Sequence, residues 1–180
     1  DWVLTPEGSL SGYCEGPVHN ATQETKQEYN DYVLKLENYL KENRRNLALG
    51  TGHIEQDKLP YNEIRFYKEG NFQKYYAKQL LTHGPDFMGE YHFYVPGVKL
   101  ETYDLAPNVR AGALICNDAW AYPLASPNGN PYYWRTLREM GCRVVFVGAK
   151  CTMDVRDEVV YNLHESMLRI MAKSYNMHVV

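Results

Sequence analysis

The sequence predicts an α/β protein, because apolar segments of strand length alternate along the chain with longer segments of helical periodicity. Residues 143–148 contain four consecutive apolar, mostly β-branched residues, as in a strand buried on both faces. Residues 22–43 instead carry apolar side chains at spacings of three and four, with charged residues between them. With 180 residues, 44% of them hydrophobic, we expect one domain covering residues 1–180.

The first third of the chain predicts a strand, a helix and a second strand. Residues 2–4 are apolar and are followed by Thr5-Pro6, which ends the first strand. The helix over residues 22–43 has one apolar stripe and is expected to cover a sheet. Residues 47–52 are small and apolar and predict the next strand.

The middle of the chain predicts strands only. Residues 63–76 contain two alternating segments around Glu69-Gly70-Asn71, which is typical of a β-hairpin. Residues 98–103 and 109–116 predict two further strands, and Pro107-Asn108 predicts the turn between them.

The last third predicts two helices that each precede a strand. Asn130 as cap and Pro131 in the first turn begin a helix that ends before Gly141. The strand over residues 143–148 follows, then a helix from about residue 157 and a strand over residues 177–180. The apolar face of the last helix is formed by Val160, Leu163, Met167, Ile170 and Met171.

Composition argues against several kinds of partner. The formal net charge is -3 and the sequence pI is about 6.1, and no segment is dense in Lys and Arg, so we expect no nucleic-acid partner. No apolar stretch has the length of a membrane span, and no signal-peptide pattern opens the chain. We therefore expect a cytoplasmic protein without a membrane partner.

Cysteine and histidine spacing predicts neither disulfides nor a metal. Cys14, Cys116, Cys142 and Cys151 form no Cys-x-x-Cys pair, which favours reduced thiols. The six histidines have no metal-ligand spacing, and the glycine-rich nucleotide motifs are absent from the sequence. We expect no metal and no organic cofactor.

Cys116 is the first candidate for chemistry. It stands where the buried strand 109–116 meets Asn117 and Asp118, so its thiol could leave the sheet edge beside backbone N–H groups. That placement suits a nucleophile. The alternative is an inert buried cysteine, which is a common environment for free thiols.

Three ionisable residues also follow predicted strands or lie in a loop near a strand end. Glu7 comes shortly after the first strand, and the carboxyl ends of strands are where α/β sheets bind ligands. Lys78 follows the hairpin, and Glu90 ends a loop rich in turn-forming residues. Each could equally be an ordinary solvated side chain.

Three separate segments resemble, in the right order, the sequence blocks of the nitrilase (carbon–nitrogen hydrolase) superfamily. They are residues 6–13 (PEGSLSGY), 76–80 (YAKQL) and 115–120 (ICNDAW). Gly89-Glu90 and Pro96-Gly97 fall between the second and third blocks, as the family expects. The resemblance covers nearly the whole chain.

This resemblance implies a four-layer α-β-β-α sandwich with a catalytic triad of Glu7, Lys78 and Cys116. Glu90 would be the supporting second acid. The first strand and helix customary in the family, and the strands that follow its last helix, are missing here, as in a chain truncated at both ends. The resemblance also implies a homodimer or larger homo-oligomer.

Elementary chemistry agrees with these roles. A neighbouring ammonium lowers the pKa of a thiol, and a carboxylate can accept its proton. Lys78 and the backbone N–H of Asn117 are candidates for stabilising the negative charge that develops on the substrate. The substrate would be a small linear amide or N-carbamoyl compound rather than a nitrile, because Cys116-Asn117-Asp118 resembles the amide branches. Tyr13 and Trp120 either line its pocket or pack in the core.

Two other hypotheses remain open on the sequence alone. The chain could be a non-catalytic or incomplete homologue that acts as an interaction subunit. It could also pair Cys116 with His164 or His178, as papain-like hydrolases pair cysteine with histidine.

Overall fold

A computed structural model describes residues 1–13, 22–53, 59–82, 89–121, 129–150 and 158–180, with only the backbone at 158–161. The strands are β1 (Trp2–Leu4), β2 (Asn46–His53), β3 (Tyr61–Lys68), β4 (Asn71–Ala77), β5 (Thr102–Ala106), β6 (Val109–Ile115), β7 (Val144–Gly148) and β8 (His178–Val179). The helices are α1 (Gln23–Glu42), α2 (Asn117–Trp120), α3 (Tyr133–Glu139) and α4 (Glu158–Tyr175), and Glu90–His92 form a 3-10 turn. The order of strands and long helices is as predicted, and the short helix α2 is an addition.

The strands form two mixed sheets of four. The first has the order β1-β2-β3-β4, with β1 and β2 parallel and the other pairs antiparallel. The second has the order β5-β6-β7-β8, with β5 antiparallel to β6 and the remaining pairs parallel.

Apolar packing stacks these sheets between helices in four layers. The central core joins the two sheets, and in it Phe66 of β3 contacts Tyr103 and Phe146 of the second sheet. On the outer face of the first sheet, α1 packs Leu40 against Leu47 of β2. On the outer face of the second sheet, α3 and α4 cover a cluster formed by Leu114, Trp134, Leu137, Val145, Met167 and Met171. The predicted four-layer α-β-β-α arrangement is confirmed.

Local sequence explains the best-predicted elements. Thr22 caps α1, because its side-chain oxygen accepts a hydrogen bond from the backbone N–H of Thr25 at 3.3 Å. The hairpin of β3 and β4 turns at Glu69 and Gly70, which have φ of 49° and 79°. Positive φ at both central residues is the geometry that matches the twist of paired strands.

Three predicted details differ from the structure. The strand expected over residues 98–103 begins only at Thr102, because the preceding segment crosses the end of β4, where the N–H of Gly97 donates to the carbonyl of Lys78 at 2.7 Å. The third helix begins at Tyr133, since Asn130 accepts a hydrogen bond from the N–H of Tyr132 and forms a turn before it. Of the four described members of the predicted apolar face of α4, two, Leu163 and Ile170, are exposed.

The topology brings several strand ends to one edge of the molecule. Because β2 and β4 are each antiparallel to β3, the strands β1, β2 and β4 all end at the same edge of their sheet. In the second sheet β6 and β7 are parallel and end together. The backbone N–H of Lys150, two residues beyond β7, donates to Glu7 Oε2 at 3.0 Å, so these ends of the two sheets meet. We call this shared edge the site edge.

Within the described ranges, no helix combines the length and apolarity needed to cross a bilayer. Cys116 and Cys142 are free thiols. Cys14, Cys151, Val160 and most of the loop before Glu90 (residues 83–88) lie outside what the structure describes in side-chain detail.

Candidate active site

Cys116 occupies a sharp turn between β6 and α2. Its φ of 47° and ψ of -108° are sparsely populated for a residue with a side chain, and such a conformation costs on the order of 1–3 kcal/mol. Its backbone N–H donates to the carbonyl of Gly148 at 2.8 Å, which fixes the turn against β7. The thiol is half-buried at the site edge.

Lys78 follows β4 directly and is completely buried. Its Nζ lies 3.0 Å from Glu7 Oε1 and 2.7 Å from Glu90 Oε1, so one ammonium joins two carboxylates. An unpaired buried ammonium would cost several kcal/mol, and these carboxylates offset that cost. The structure therefore brings together three of the residues singled out from the sequence.

Glu7 and Glu90 are buried and held by further donors. Glu7 Oε1 accepts from Asn62 Nδ2 at 2.6 Å, and the same amide lies 3.3 Å from Glu90 Oε1. Tyr13 donates its hydroxyl to Glu90 Oε1 at 2.8 Å, and Thr82 donates its N–H and hydroxyl to Glu90 Oε2 at 2.7 and 3.1 Å. The orientation of both carboxylates is thus fixed before any substrate binds.

Close backbone approach places Glu7. A side chain at Gly50 of β2 would collide with the carbonyl oxygen of Pro6, the residue before Glu7. Only glycine allows the segment after β1 to lie so close to β2. This close contact fixes the position of the Glu7 backbone relative to β2.

Lys78 and Glu90 shift each other's pKa values. Burial opposes the charge of Lys78, but the Glu7 and Glu90 carboxylates hold its pKa well above the ordinary range. Burial likewise opposes ionisation of Glu90, and Lys78 with the surrounding hydrogen bonds outweighs it, so the pKa of Glu90 is lowered.

Burial raises the pKa of the Cys116 thiol, and the charge of Lys78 offsets only part of that rise. The predicted effect of the ammonium is present, since Lys78 lowers the pKa of Cys116, but burial and the nearby carboxylates raise it by more. A protonated thiol needs a base before it can act as a nucleophile.

The turn that carries Cys116 is linked to the segment after Lys78. Asn117 is fully buried, and its Nδ2 donates to the carbonyl of Leu80 at 3.2 Å. Asp118 accepts hydrogen bonds from the backbone N–H groups of Gln79 and Leu80 at 3.1 and 2.7 Å. The two strand ends that carry Lys78 and Cys116 are thereby joined.

The two aromatic candidates have different surroundings. Tyr13 lies at the site, between Glu90 and the exposed Lys150, whose Nζ is 5.3 Å from the centre of the tyrosine ring. Trp120 is 6% exposed and stacks on His164 of α4 with 4.0 Å between ring centres. Trp120, at the end of α2, therefore packs in the apolar cluster against α4.

The side chains with the largest electrostatic influence on Cys116 are Lys78, Glu7, Glu90 and Asp118, and none of these is a histidine. His164 stacks on Trp120, and His178 lies exposed in β8. In the part of the chain that the structure describes, no group of three or more His, Cys, Asp or Glu side chains is arranged to hold a metal ion.

Sequence reasoning missed Asn62 and Thr82 as members of the site. Asn62 sits at the start of a strand, where asparagine is disfavoured, and a polar residue there is a usable sign of a buried role. Thr82 begins a loop and carries no comparable signal.

Comparison with solved structures shows which fold this is. An amidase from Nesterenkonia sp. superposes with a TM-score of 0.73 at 18% identity, over 99% of this chain and 60% of the amidase chain. A glutamine-dependent NAD+ synthetase from Acinetobacter baumannii superposes with a TM-score of 0.73 at 19% identity, over 100% of this chain and 31% of the synthetase. Comparison with protein-family models and with curated proteins gives no match.

Variants of the Nesterenkonia sp. AN1 amidase, an enzyme of the nitrilase superfamily, superpose equally well. One is a complex with acrylamide (TM-score 0.73, 17% identity, 99% of this chain and 61% of the amidase). Another shows acrylamide added to the active-site cysteine of that amidase. The present chain therefore has the nitrilase fold, and it spans about three-fifths of the amidase length.

Proposed function

We propose that this chain hydrolyses the C–N bond of a small linear amide or N-carbamoyl compound through a thioester on Cys116. Glu7 is the general base and acid, and Lys78 stabilises the developing negative charge together with the backbone N–H of Asn117. Glu90 keeps Lys78 charged and in place. A nitrile is the less favoured substrate.

The observation that carries this proposal is the buried Lys78 between two carboxylates, next to the half-buried thiol. Lys78 has no solvent exposure, and burying a charged ammonium is costly. Because the fold itself does not require a charge at the end of this strand, the cost indicates a functional role. A cation fixed beside a nucleophile is useful where an oxyanion forms, because it requires no rearrangement during the reaction. The proposal uses all four groups that meet there.

The first half of the reaction forms the thioester. Glu7 accepts the proton of the Cys116 thiol while Sγ attacks the carbonyl carbon, and the carbonyl oxygen takes the negative charge. Lys78 and the N–H of Asn117 hold that oxygen. The C–N bond then breaks, and Glu7 gives its proton to the leaving amine.

The second half releases the acid. A water molecule gives a proton to Glu7 and attacks the thioester carbon, and Lys78 again stabilises the oxyanion. The C–S bond breaks and Glu7 returns the proton to the sulfur. The raised pKa of Cys116 fits this scheme, because a protonated thiol needs Glu7 to accept its proton when Sγ attacks.

The choice of an amide also draws on the similar structures. The Nesterenkonia amidase has an active-site cysteine that reacts with acrylamide. We transfer the amide class to this chain on the shared fold and on the four groups at the site edge. A cysteine nucleophile must be reduced, so we place the enzyme in the cytoplasm. From the family resemblance we also propose a homodimer or larger homo-oligomer.

The test is ammonia release from a panel of amides, carbamoyl amino acids and nitriles, measured with the wild type, Cys116→Ala and Cys142→Ala. Cys142 is a buried thiol in the core under α3, so its change is matched in chemistry but lies away from the site. We expect Cys116→Ala to abolish turnover and Cys142→Ala to retain it.

Two results would contradict the proposal. Full turnover in Cys116→Ala would exclude the thioester. A folded wild type that releases no ammonia from any compound of the panel would favour the non-catalytic interaction subunit instead.

A further inference from the structure

Asp118 has a position in the site that the catalytic scheme does not use. It is 3% exposed and lies two residues after Cys116, in the first turn of α2. Its carboxylate accepts four hydrogen bonds from two separate segments of the chain, residues 76–80 and the end of β6. A buried carboxylate with this many fixed donors holds those segments in one arrangement.

The donors are the residues next to the two reactive groups. Oδ1 accepts from the N–H groups of Gln79 and Leu80, which directly follow Lys78. Oδ2 accepts from the N–H of Ile115 at 3.2 Å, which directly precedes Cys116. One carboxylate therefore fixes the backbone on the ammonium side and on the thiol side together.

The fourth donor connects the same carboxylate to the sheet. The hydroxyl of Tyr76, two residues before Lys78 in β4, donates to Oδ2 at 2.8 Å. Tyr76 is fully buried in the core between the sheets, so it is a rigid anchor. Asp118 is thus attached to β4 both before and after Lys78.

The backbone at Cys116 needs such support. Its positive φ is a strained conformation, and strain of this kind persists only where the surroundings over-determine it. The hydrogen bond from Ile115 to Asp118 and that from Cys116 to Gly148 hold the residue from two sides.

We propose that Asp118 is a positioning residue that sets the spacing of the Cys116 thiol from Lys78 and Glu7 by joining the turn after β6 to the end of β4. The inference rests on the proposed function only for its effect on turnover. Its effect on the reactivity of Cys116 can be measured without any substrate being known.

An amide in place of the carboxylate breaks only part of the arrangement. In Asp118→Asn the side-chain oxygen can still accept from Gln79 and Leu80, but Nδ2 cannot accept from Ile115 or Tyr76. The variant keeps the volume of the side chain and frees the end of β6 next to the thiol.

Positioning and simple electrostatics predict opposite results for this variant. The negative charge of Asp118 disfavours the Cys116 thiolate, so removing the charge alone would make the thiol more reactive. Loss of positioning moves the thiol away from Lys78 and Glu7 and makes it less reactive.

The experiment measures the rate at which iodoacetamide alkylates Cys116 at a fixed neutral pH, by mass spectrometry of the Cys116 peptide. Asp118→Asn is compared with the wild type, with Tyr76→Phe and with Glu63→Gln. Glu63 is a fully buried carboxylate paired with Arg65 at 2.8 Å, on the face of β3 that α1 covers. Glu63→Gln is therefore a matched buried change that is expected to lower stability without touching the site.

We expect Asp118→Asn to slow alkylation of Cys116 by about 10- to 100-fold, since small displacements of reacting groups have effects of this size. Tyr76→Phe, which removes one donor and no charge, should slow it by about three-fold, the effect of one modest hydrogen bond. Glu63→Gln should leave the rate unchanged while the protein is folded. An unchanged or faster rate in Asp118→Asn would overturn the positioning role.

The two proposals fail in different ways. If the wild type hydrolyses nothing but Asp118→Asn still slows alkylation, the hydrolase assignment fails and the positioning role stands. If hydrolysis depends on Cys116 but Asp118→Asn alkylates as fast as the wild type, only the positioning role fails.

Discussion

At the scale of single residues, the charge of Lys78 has the largest consequences. It pairs with two buried carboxylates and is the main influence that favours the thiolate of Cys116. The same ammonium would face the oxyanion of the substrate. Removing it is therefore expected to lower both the stability of the fold and the rate of the reaction.

We expect Lys78→Met to lower kcat by about 100- to 1,000-fold, the loss seen when one stabilising group for an oxyanion is removed. Two carboxylates lose their buried partner, so the free energy of unfolding should fall by about 3–5 kcal/mol. Initial rates of ammonia release and urea unfolding measure both. Lys74→Met is the control, because Lys74 is part-exposed and pairs with Glu101 outside the site. A Lys78→Met enzyme as active as this control would exclude the proposed role.

Asn62 gives a second test at this scale. Asn62→Leu removes the donor shared by Glu7 and Glu90 and leaves Glu7 Oε1 with one hydrogen bond fewer. Its loss should lower the free energy of unfolding by about 1–3 kcal/mol, measured in urea, because a buried carboxylate loses a hydrogen bond. An unfolding free energy equal to that of the wild type would show that the remaining donors are enough to hold both carboxylates.

The sequence reveals some of these residues and conceals others for a physical reason. Glu7, Lys78 and Cys116 each lie at or just after the end of a predicted strand, so a local pattern locates them. Asp118 lies in a recognisable block, but three of its four donors come from residues about 40 positions away, and no local pattern encodes them. Which side chains share a carboxylate is decided by tertiary packing.

At the scale of elements, the hairpin turn was predicted well, whereas the cap of α3 and the buried faces of the helices were not. Glu69-Gly70 acts through neighbouring backbone, which sequence shows directly, but Asn130, predicted as a cap, forms a turn before α3. In α1, Tyr29 and Leu40 are buried while Tyr32 and Tyr39 of the same apolar stripe are about half-exposed. A tyrosine can pack its ring while its hydroxyl reaches water, so it occurs both on the buried face of a helix and at the margin of that face. Periodicity alone therefore does not show which tyrosines of α1 are buried.

The hairpin turn supplies a stability prediction. Gly70 has a φ of +79°, and a side chain there would collide with the backbone of Lys41 at the end of α1. Gly129 has a similar φ of +82°, but no described atom lies within 4 Å of a side chain built on it. Gly129→Ala should cost about 1 kcal/mol for the backbone conformation alone, whereas Gly70→Ala should cost about 3 kcal/mol or more.

Urea unfolding of both variants measures the difference. Equal losses would mean that the tip of the hairpin moves away from α1 without cost. A larger loss for Gly70→Ala would show that the contact between the turn and the last turn of α1 contributes to stability.

At the scale of the whole molecule, the four layers explain why distant residues meet. Two sheets packed back to back bring the ends of β1, β4 and β6 to one edge, where Glu7, Lys78 and Cys116 follow them. The contact between Lys150 and Glu7 crosses from one sheet to the other. A loss of packing between the sheets would therefore separate the site as well as the core.

The outer face of the first sheet gives a pH prediction for global stability. Burial lowers the pKa of His53 from 6.5 to about 4, and the nearby Arg65 adds to this. The unfolded chain then binds more protons than the folded one between these two values. Stability should fall as the pH drops from about 6.5 to 4. The raised pKa of Asp118, about 6, acts in the opposite direction in much of that range.

His53→Phe isolates the histidine contribution, because Asp118 is present in both proteins and cancels in their difference. Phenylalanine keeps a ring near Tyr29, whose ring centre lies 6.4 Å from that of His53. We expect the stability of the variant relative to the wild type to rise steadily as the pH falls from 6.5 to 4, and to be constant above 7. Urea midpoints at a series of pH values measure this, and parallel curves for the two proteins would show that His53 does not stay neutral in the folded state. A diverging pair of curves would assign part of the acid sensitivity of the molecule to one half-buried imidazole under α1, outside the site edge.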